Sequence, residues 1–280
     1  MFAGFNLSIP DESFCKKYYD DGKDFLDGQK RLVEETLAKY TSDEKNLAKY
    51  ASEEGPLDGT AIQNDWFHPI KADVFLSHAH RDDKLVVGLV GWLYKKCRVR
   101  AFVDSHIWGY ANDLLKQIDD QYCVLKHNSD GSTTYSYWKC AESASHVHIM
   151  LNTALEQMVD KCECLLFVNT PNSLSVSTTM DENSTLSPWI YSELSMSQTI
   201  RRKSLQDYRP ISRFFAEDST GRQSGFQVKY NVKMDHLKPL SVEDLHKWSE
   251  ALMQDNTEYP LDRLYEQHGL LKANSMLISE

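Results

Sequence analysis

The chain has 280 residues, of which 41% are apolar and 11% aromatic, so it can bury a sizeable core and is not a disordered protein. Its formal net charge is -10 and it contains no dense Lys/Arg run, which argues against duplex DNA or RNA as a partner. Since no basic leader and no window of roughly 18 apolar residues occurs, we expect no membrane segment and a soluble protein of the cytoplasm.

The first 70 residues are predicted to form a helical extension. Apolar residues between Leu32 and Tyr40 recur near helical spacing, with charged residues between them. Residues 53–60 then supply Gly, Pro and Asp-Gly, which end such a helix. We expect the remainder, residues 71–280, to form one α/β domain.

Strands and helices alternate from residue 72 onward. The segments 72–76, 99–104 and 164–169 are short, nearly continuous apolar runs, typical of parallel strands covered on both faces. Helical spacing of the apolar residues from Leu85 to Leu93 predicts a helix between the first two strands. The pattern favours a doubly wound parallel sheet.

Ligands of such a sheet bind beyond the carboxyl ends of its strands. Ser77, Asp104 and Asn169 each lie where a predicted strand ends. A ligand-binding site is therefore expected near these three residues.

A polar insertion around residues 120–148 separates the second strand from the third, and it shows no clear period. Its possible zinc ligands lie at spacings that match neither a zinc finger nor a zinc ribbon, so the sequence predicts no metal site. These ligands are Cys123, His127, Cys140, His146 and His148. All six cysteines are scattered along the chain and are expected to stay reduced.

The last third of the chain yields fewer signals. Residues 211–215 and 226–234 are candidate strands, and Ser241 precedes a predicted helix with acidic residues in its first turn. No glycine-rich phosphate-binding pattern follows any predicted strand, which argues against an NTPase and against a hydride-transfer enzyme.

The segment "SPWIYSEL" predicts a helix that begins at Pro188, with Ser187 as its N-cap. Trp189 and Glu193 are four residues apart on this helix and so share a face. On spacing alone, an exposed helix charge beside a packed tryptophan is the favoured interpretation of Glu193.

The order of motifs resembles the Toll/interleukin-1 receptor (TIR) domain family. "DVFLS" (73–77) matches the family's first strand, and "SPWIYSEL" (187–194) matches its later S-x-W-x-x-x-E-L helix, with "AFVD" and "CLLFVN" between them in family order. The resemblance covers roughly residues 71–250. It implies a flavodoxin-like parallel sheet with helices on both faces.

The resemblance also implies an activity, because enzymatic TIR domains cleave the nicotinamide–ribose bond of NAD+ with a glutamate that Glu193 matches here. NAD+ would be a substrate and no cofactor would be needed. The product would be nicotinamide and an ADP-ribose derivative, linear, cyclic or conjugated, as in an NAD+ glycohydrolase or ADP-ribosyl cyclase. Bacterial members commonly serve anti-phage systems such as Thoeris, where that product is a messenger for a separate effector protein.

Substrate contacts are expected in the loop after the first strand, at Ser77, His78 and Arg81, by resemblance and because α/β folds receive phosphates there. Asp104 at the second strand exit and Trp189 beside Glu193 complete the candidate site.

Two other classes of function fit the same resemblance. The chain could be a non-catalytic interaction module that recruits a partner through the loop 105–115. Trp108 and Tyr110 in this loop are either interface or pocket residues, or they pack under the insertion. It could also bind an ADP-ribose derivative without cleaving it. The family further implies a homo-oligomer formed through TIR contacts.

Overall fold

The computed structural model describes residues 1–10, 13–41, 47–51, 56–108, 111–176, 183–208, 230–254 and 257–271. Within these ranges the strands are β1 (Ala3–Ser8), β2 (Val74–Ser77), β3 (Ala101–Phe102), β4 (Val124–His127), β5 (Thr133–Tyr135), β6 (Cys164–Asn169), β7 (Ser175–Val176), β8 (Asn183–Thr185), β9 (Tyr230–Asn231) and β10 (Lys238–Ser241). The α-helices are α1 (Ser13–Lys16), α2 (Tyr19–Thr41), α3 (Gly59–Trp66), α4 (Asp83–Cys97), α5 (Asp104–Ile107), α6 (Ala111–Ile118), α7 (Tyr137–Lys161), α8 (Pro188–Thr199), α9 (Val242–Gln254) and α10 (Leu261–Gln267).

Five parallel strands form the central sheet, in the order β10-β1-β6-β2-β3. β2 and β6 are almost wholly buried, as their apolar runs predict for strands covered on both faces. With helices flanking the sheet, the predicted α/β, flavodoxin-like class is confirmed. The strand order nevertheless differs from the 2-1-3-4-5 of flavodoxin, because the amino-terminal strand lies between β6 and β10.

The prediction of a purely helical extension over residues 1–70 is wrong at its start. β1 pairs with β6 over six residues, from Ala3 opposite Cys164 to Ser8 opposite Asn169, and with β10 on its other side. Phe5 and Leu7 are fully buried in the same core as the rest of the sheet. The first residues are therefore part of the central sheet, and α1 and α2 follow them.

Two apolar clusters hold the helices in place. The main one surrounds the sheet and includes α4, whose residues from Leu85 to Leu93 are all buried. A second, smaller cluster joins α3, α6 and α7 through Ile62, Leu114 and Leu151. α7 contributes residues to both clusters and so links them.

The segment 120–148, for which the sequence shows no period, forms regular secondary structure. β4 and β5 form an antiparallel hairpin, and α7 begins directly after it at Tyr137. Ser136 caps this helix by accepting a hydrogen bond from the Lys139 amide at 3.5 Å.

The late predictions have mixed outcomes. Residues 211–215 lie outside the described residues, as do 226–229, while Tyr230 and Asn231 form β9 in a small antiparallel sheet with β7 and β8. The fifth strand of the central sheet is instead β10. Ser241 precedes α9 as predicted, and its hydroxyl accepts from the Asp244 amide at 3.1 Å. Among the described residues, none of the helices has the length and apolar content needed to span a membrane.

Candidate functional site

The strand order predicts a crevice at the carboxyl ends of β2 and β6. β2 and β6 are neighbours in the sheet. The chain continues from β2 to β3, on one side, whereas from β6 the next strand of the central sheet is β10, which lies in the opposite direction. Neighbouring strands whose connections depart in opposite directions leave such a crevice, where open α/β sheets bind their ligands. Ser77 ends β2, and Asn169 ends β6.

α8 brings Glu193 to this crevice. The helix begins at Pro188 as predicted, because the Ser187 hydroxyl accepts from the Ile190 amide at 3.2 Å. Glu193 follows in the second turn and is only 3% exposed. Ser77 donates its hydroxyl hydrogen to Oε2 of Glu193 at an Oγ–Oε2 distance of 2.5 Å. The glutamate is therefore a buried, hydrogen-bonded group and not a solvated helix charge.

The surroundings of Glu193 favour its neutral form. Burial raises the pKa of Glu193 well above its ordinary value, and the negative charge of Asp104 raises that pKa further. The hydrogen bond from Ser77 acts in the opposite direction, because it stabilises the carboxylate. Asp104 is the first residue of α5, directly after the third strand, so the strand exits place two carboxyl groups within electrostatic reach of each other.

His78 follows Ser77 directly after the end of β2. Its ring is buried, and its Nε2 is 3.5 Å from the Ser105 hydroxyl. Burial lowers the pKa of His78, while the charge of Asp104 and the Leu76 carbonyl oppose that shift. A neutral imidazole is thus favoured, which can donate or accept a hydrogen bond but supplies no fixed positive charge.

Arg81 and Trp189, the other two predicted site residues, are close to this set in sequence: Arg81 follows His78 by three residues and Trp189 precedes Glu193 by four. Arg81 is exposed in the turn before α4, where Asp82 and Asp83 add two carboxylates. Those acids weaken the attraction of this helix start for a phosphate. Arg81 supplies a positive charge in the same turn. Trp189 is half-buried, packs on both apolar clusters and lies edge-on to His148, with ring centroids 6.3 Å apart.

A hydrogen-bond network that the sequence did not predict surrounds Asp82. Asp82 is 5% exposed and accepts from the Thr170 hydroxyl at 2.5 Å and from the Asn172 amide at 2.6 Å. The network ties the start of α4 to the loop after β6. These residues are about 90 positions apart in the chain, so no local pattern announced the contact.

Trp108 is a core residue, so of the two alternatives that the sequence left open for it, packing is the one that the structure bears out. Its ring is fully buried and packs against Phe102, with centroids 4.4 Å apart. Tyr110, the other aromatic candidate in the loop 105–115, lies outside the described residues.

Comparison of the chain with models of protein families, with curated proteins and with solved structures found no match in any of the three. The TIR resemblance therefore rests on the quoted motifs alone.

Proposed function

We propose that the chain is a TIR-like NAD+ nucleosidase, which cleaves the nicotinamide–ribose bond with Glu193 as its catalytic residue. The observation that carries the proposal is a glutamate 3% exposed, hydrogen-bonded to Ser77 at 2.5 Å, at the strand exits where this class of sheet binds ligands. A perturbed carboxyl pKa at such a position is a recognised sign of a functional group.

The reaction asks little of the protein beyond negative charge. Nicotinamide is cationic in NAD+ and leaves as a neutral molecule, so no general acid is required, unlike ordinary glycoside hydrolysis. Positive charge grows on the ribose as the bond breaks. Glu193, with Asp104 nearby, supplies the anionic surroundings that stabilise such a cation.

The raised pKa of Glu193 is compatible with this role. A neutral carboxyl group in the free protein becomes ionised when a cation is placed beside it, because the new charge favours the carboxylate. Ser77 then holds the carboxylate in position, and Trp189 forms a wall of the pocket. His78 and Arg81 would contact the remainder of the dinucleotide.

The proposed reaction requires that the ribose of NAD+ reach the buried carboxyl group of Glu193. Glu193 is 3% exposed, so ribose reaches its carboxyl group only after surrounding side chains move. Substrate binding is accordingly coupled to a local rearrangement at the strand exits.

The proposal extends to the biological setting that the resemblance implies. Cleavage yields nicotinamide and a linear, cyclic or conjugated ADP-ribose product, which would act as a messenger to a separate effector in anti-phage defence. The active form would be a homo-oligomer in the cytoplasm, where all six cysteines, free thiols here, stay reduced.

The test is incubation of the purified chain with NAD+, followed by chromatography for nicotinamide. We expect Glu193→Gln to lower the rate by about a hundredfold or more, the typical loss when a preorganised charge-stabilising group is removed. Glu250→Gln, the same change at an exposed position of α9, should leave the rate unchanged.

Two results would overturn the assignment in different ways. Turnover that survives Glu193→Gln would remove Glu193 from its role. No nicotinamide release by the wild-type chain, even at high protein concentration, would reject the enzyme. Calorimetry with NAD+ and ADP-ribose would then separate a nucleotide sensor, which binds one of them, from an interaction module, which binds neither.

A further inference from the structure

Two cysteines and an aspartate converge at the base of the β4–β5 hairpin. One ligand atom each from Asp119, Cys123 and Cys140 lies within 4.8 Å of the other two. Asp119 and Cys123 are the first and last residues of a π-helical turn, and Cys140 lies in the first turn of α7. A π-helical turn is rare and occurs frequently at functional sites.

Backbone hydrogen bonds hold the two cysteines on either side of the hairpin base. The Ser136 amide donates to the Cys123 carbonyl at 2.8 Å, and the Cys140 amide donates to the Ser136 carbonyl at 3.0 Å. The main chain therefore fixes how the backbones of Cys123 and Cys140 lie relative to each other.

The donor set matches a zinc ion. The Cys123 thiol is 1% exposed and donates to Oδ1 of Asp119, with sulfur and oxygen 3.3 Å apart. In a tetrahedral zinc site, Zn–S bonds of about 2.3 Å and a Zn–O bond of about 2.0 Å place sulfur and oxygen roughly 3.5 Å apart. Two thiolates with a carboxylate also suit zinc better than the hard cations Mg²⁺ and Ca²⁺.

We propose that Asp119, Cys123 and Cys140 bind a zinc ion that joins the π-helical turn to the start of α7. The fourth coordination position falls to water or an external ligand, and the two thiols release their protons to solvent on binding. Ser143, which donates to Asp119, orients that carboxylate. This inference is independent of NAD+ cleavage.

The neighbouring acid provides a matched control. Asp120 belongs to the same π-helical turn but accepts a hydrogen bond from the Tyr135 hydroxyl and is not among the three clustered ligands. Asp119→Asn and Asp120→Asn therefore make the same chemical change one residue apart. Cys140, only partly exposed in the first turn of α7, accepts alanine without a large core cavity.

The experiment uses the full chain, fully reduced and stripped of metal, titrated first with Co²⁺ and then with Zn²⁺ in competition. We expect a thiolate-to-cobalt charge-transfer band that saturates at one ion per chain and that zinc abolishes. Cys140→Ala should weaken zinc binding by at least about a hundredfold and Asp119→Asn by about tenfold or more, while Asp120→Asn binds as the wild type does.

Circular dichroism of each variant confirms that it is folded before binding is compared. The proposal is overturned if the reduced wild-type chain shows no thiolate band, or if Cys140→Ala binds zinc as tightly as the wild type. It is also overturned if mass mapping shows that the chain purifies with Cys123 and Cys140 as a disulfide and takes up no zinc after that bond is reduced. Equal losses in the two aspartate variants would remove Asp119 from the ligand set.

Discussion

Replacement of Glu193 by glutamine should stabilise the folded protein, and the gain should increase with pH. Glutamine has the shape of a protonated glutamate, so it can still accept the hydrogen bond that Ser77 donates across 2.5 Å. What it removes is the possibility of a buried negative charge near Asp104, which is one of the causes that raise the Glu193 pKa.

The magnitude follows from proton linkage. An unfolded glutamate has a pKa of about 4.3, whereas burial and Asp104 raise the folded value well above the ordinary one. Between these two values the folded chain holds one proton that the unfolded chain has lost, so its free energy of unfolding falls by about 1.4 kcal/mol per pH unit. Below the unfolded pKa the stabilising contribution is fully present, and above the folded pKa its loss is complete.

The assay is urea denaturation of wild type, Glu193→Gln and Glu250→Gln at intervals from about pH 5 to about pH 8. The difference in free energy of unfolding between Glu193→Gln and wild type should rise with pH at up to about 1.4 kcal/mol per unit. The exposed control should give a flat difference. Asp104→Asn should move the end of the rise to lower pH, because it removes a charge that raises the Glu193 pKa.

A flat difference for Glu193→Gln across that range would refute the reasoning. It would mean that Glu193 is ionised throughout, with a pKa near that of the unfolded chain. The burial of the carboxyl group in the structure would then not describe the protein in solution.

Three further predictions concern the fold. Gly91→Ala should lower the free energy of unfolding by about 3 kcal/mol or more, because its Cβ would lie 2.1 Å from the Tyr18 carbonyl oxygen. Gly28→Ala, whose Cβ would meet no neighbouring group within 4 Å, should raise it by about 0.5–1 kcal/mol, and thermal unfolding of both variants tests the contrast. Trp108→Ala should cost about 3–5 kcal/mol in urea denaturation, and Trp138→Ala, at a position 80% exposed, less than about 0.5 kcal/mol. Deletion of residues 1–9 should abolish cooperative unfolding, since it removes a strand paired on both sides; a folded deletion variant would contradict the placement of β1.

The elements predicted correctly are those whose local signals agree with their environment. α8 begins at Pro188 because a serine cap and an N1 proline both specify a helix start there. β6 matches its predicted bounds, since a continuous apolar run suits a strand buried on both faces. In both cases, sequence and packing require the same conformation.

The two missed strands of the central sheet show where local signals fail. In β1, Ala3, Phe5 and Leu7 alternate with Gly, Asn and Ser, which is a strand period. The segment is short, however, and the helical spacing that follows it predicts a helical extension. β10 contains Pro239, which argues against a strand except at a sheet edge, where no partner needs its missing amide. Only the strand order shows that β10 is such an edge.

The candidate site was predictable to the extent that it lies at strand exits. Ser77 and Glu193 are 116 residues apart, and the rule for ligand position, together with the motif resemblance, named both. The Asp82 network depends on how two loops meet in three dimensions, about which spacing along the chain carries no information. Of the cluster of Asp119, Cys123 and Cys140, the sequence named the two cysteines as possible ligands but gave no sign of Asp119.

The presence of glutamate and not glutamine at position 193 is the strongest physical argument that the site has a functional role. If packing alone mattered, glutamine would fill the same space, keep the contact with Ser77 and avoid a loss of stability as pH rises. The chain instead places an ionisable group next to Asp104, where its charge is disfavoured until a cation arrives. A group of this kind, at the strand exits of a parallel sheet, favours a positively charged ligand, as the cationic nicotinamide ring of bound NAD+ and the ribosyl cation of the proposed cleavage would require.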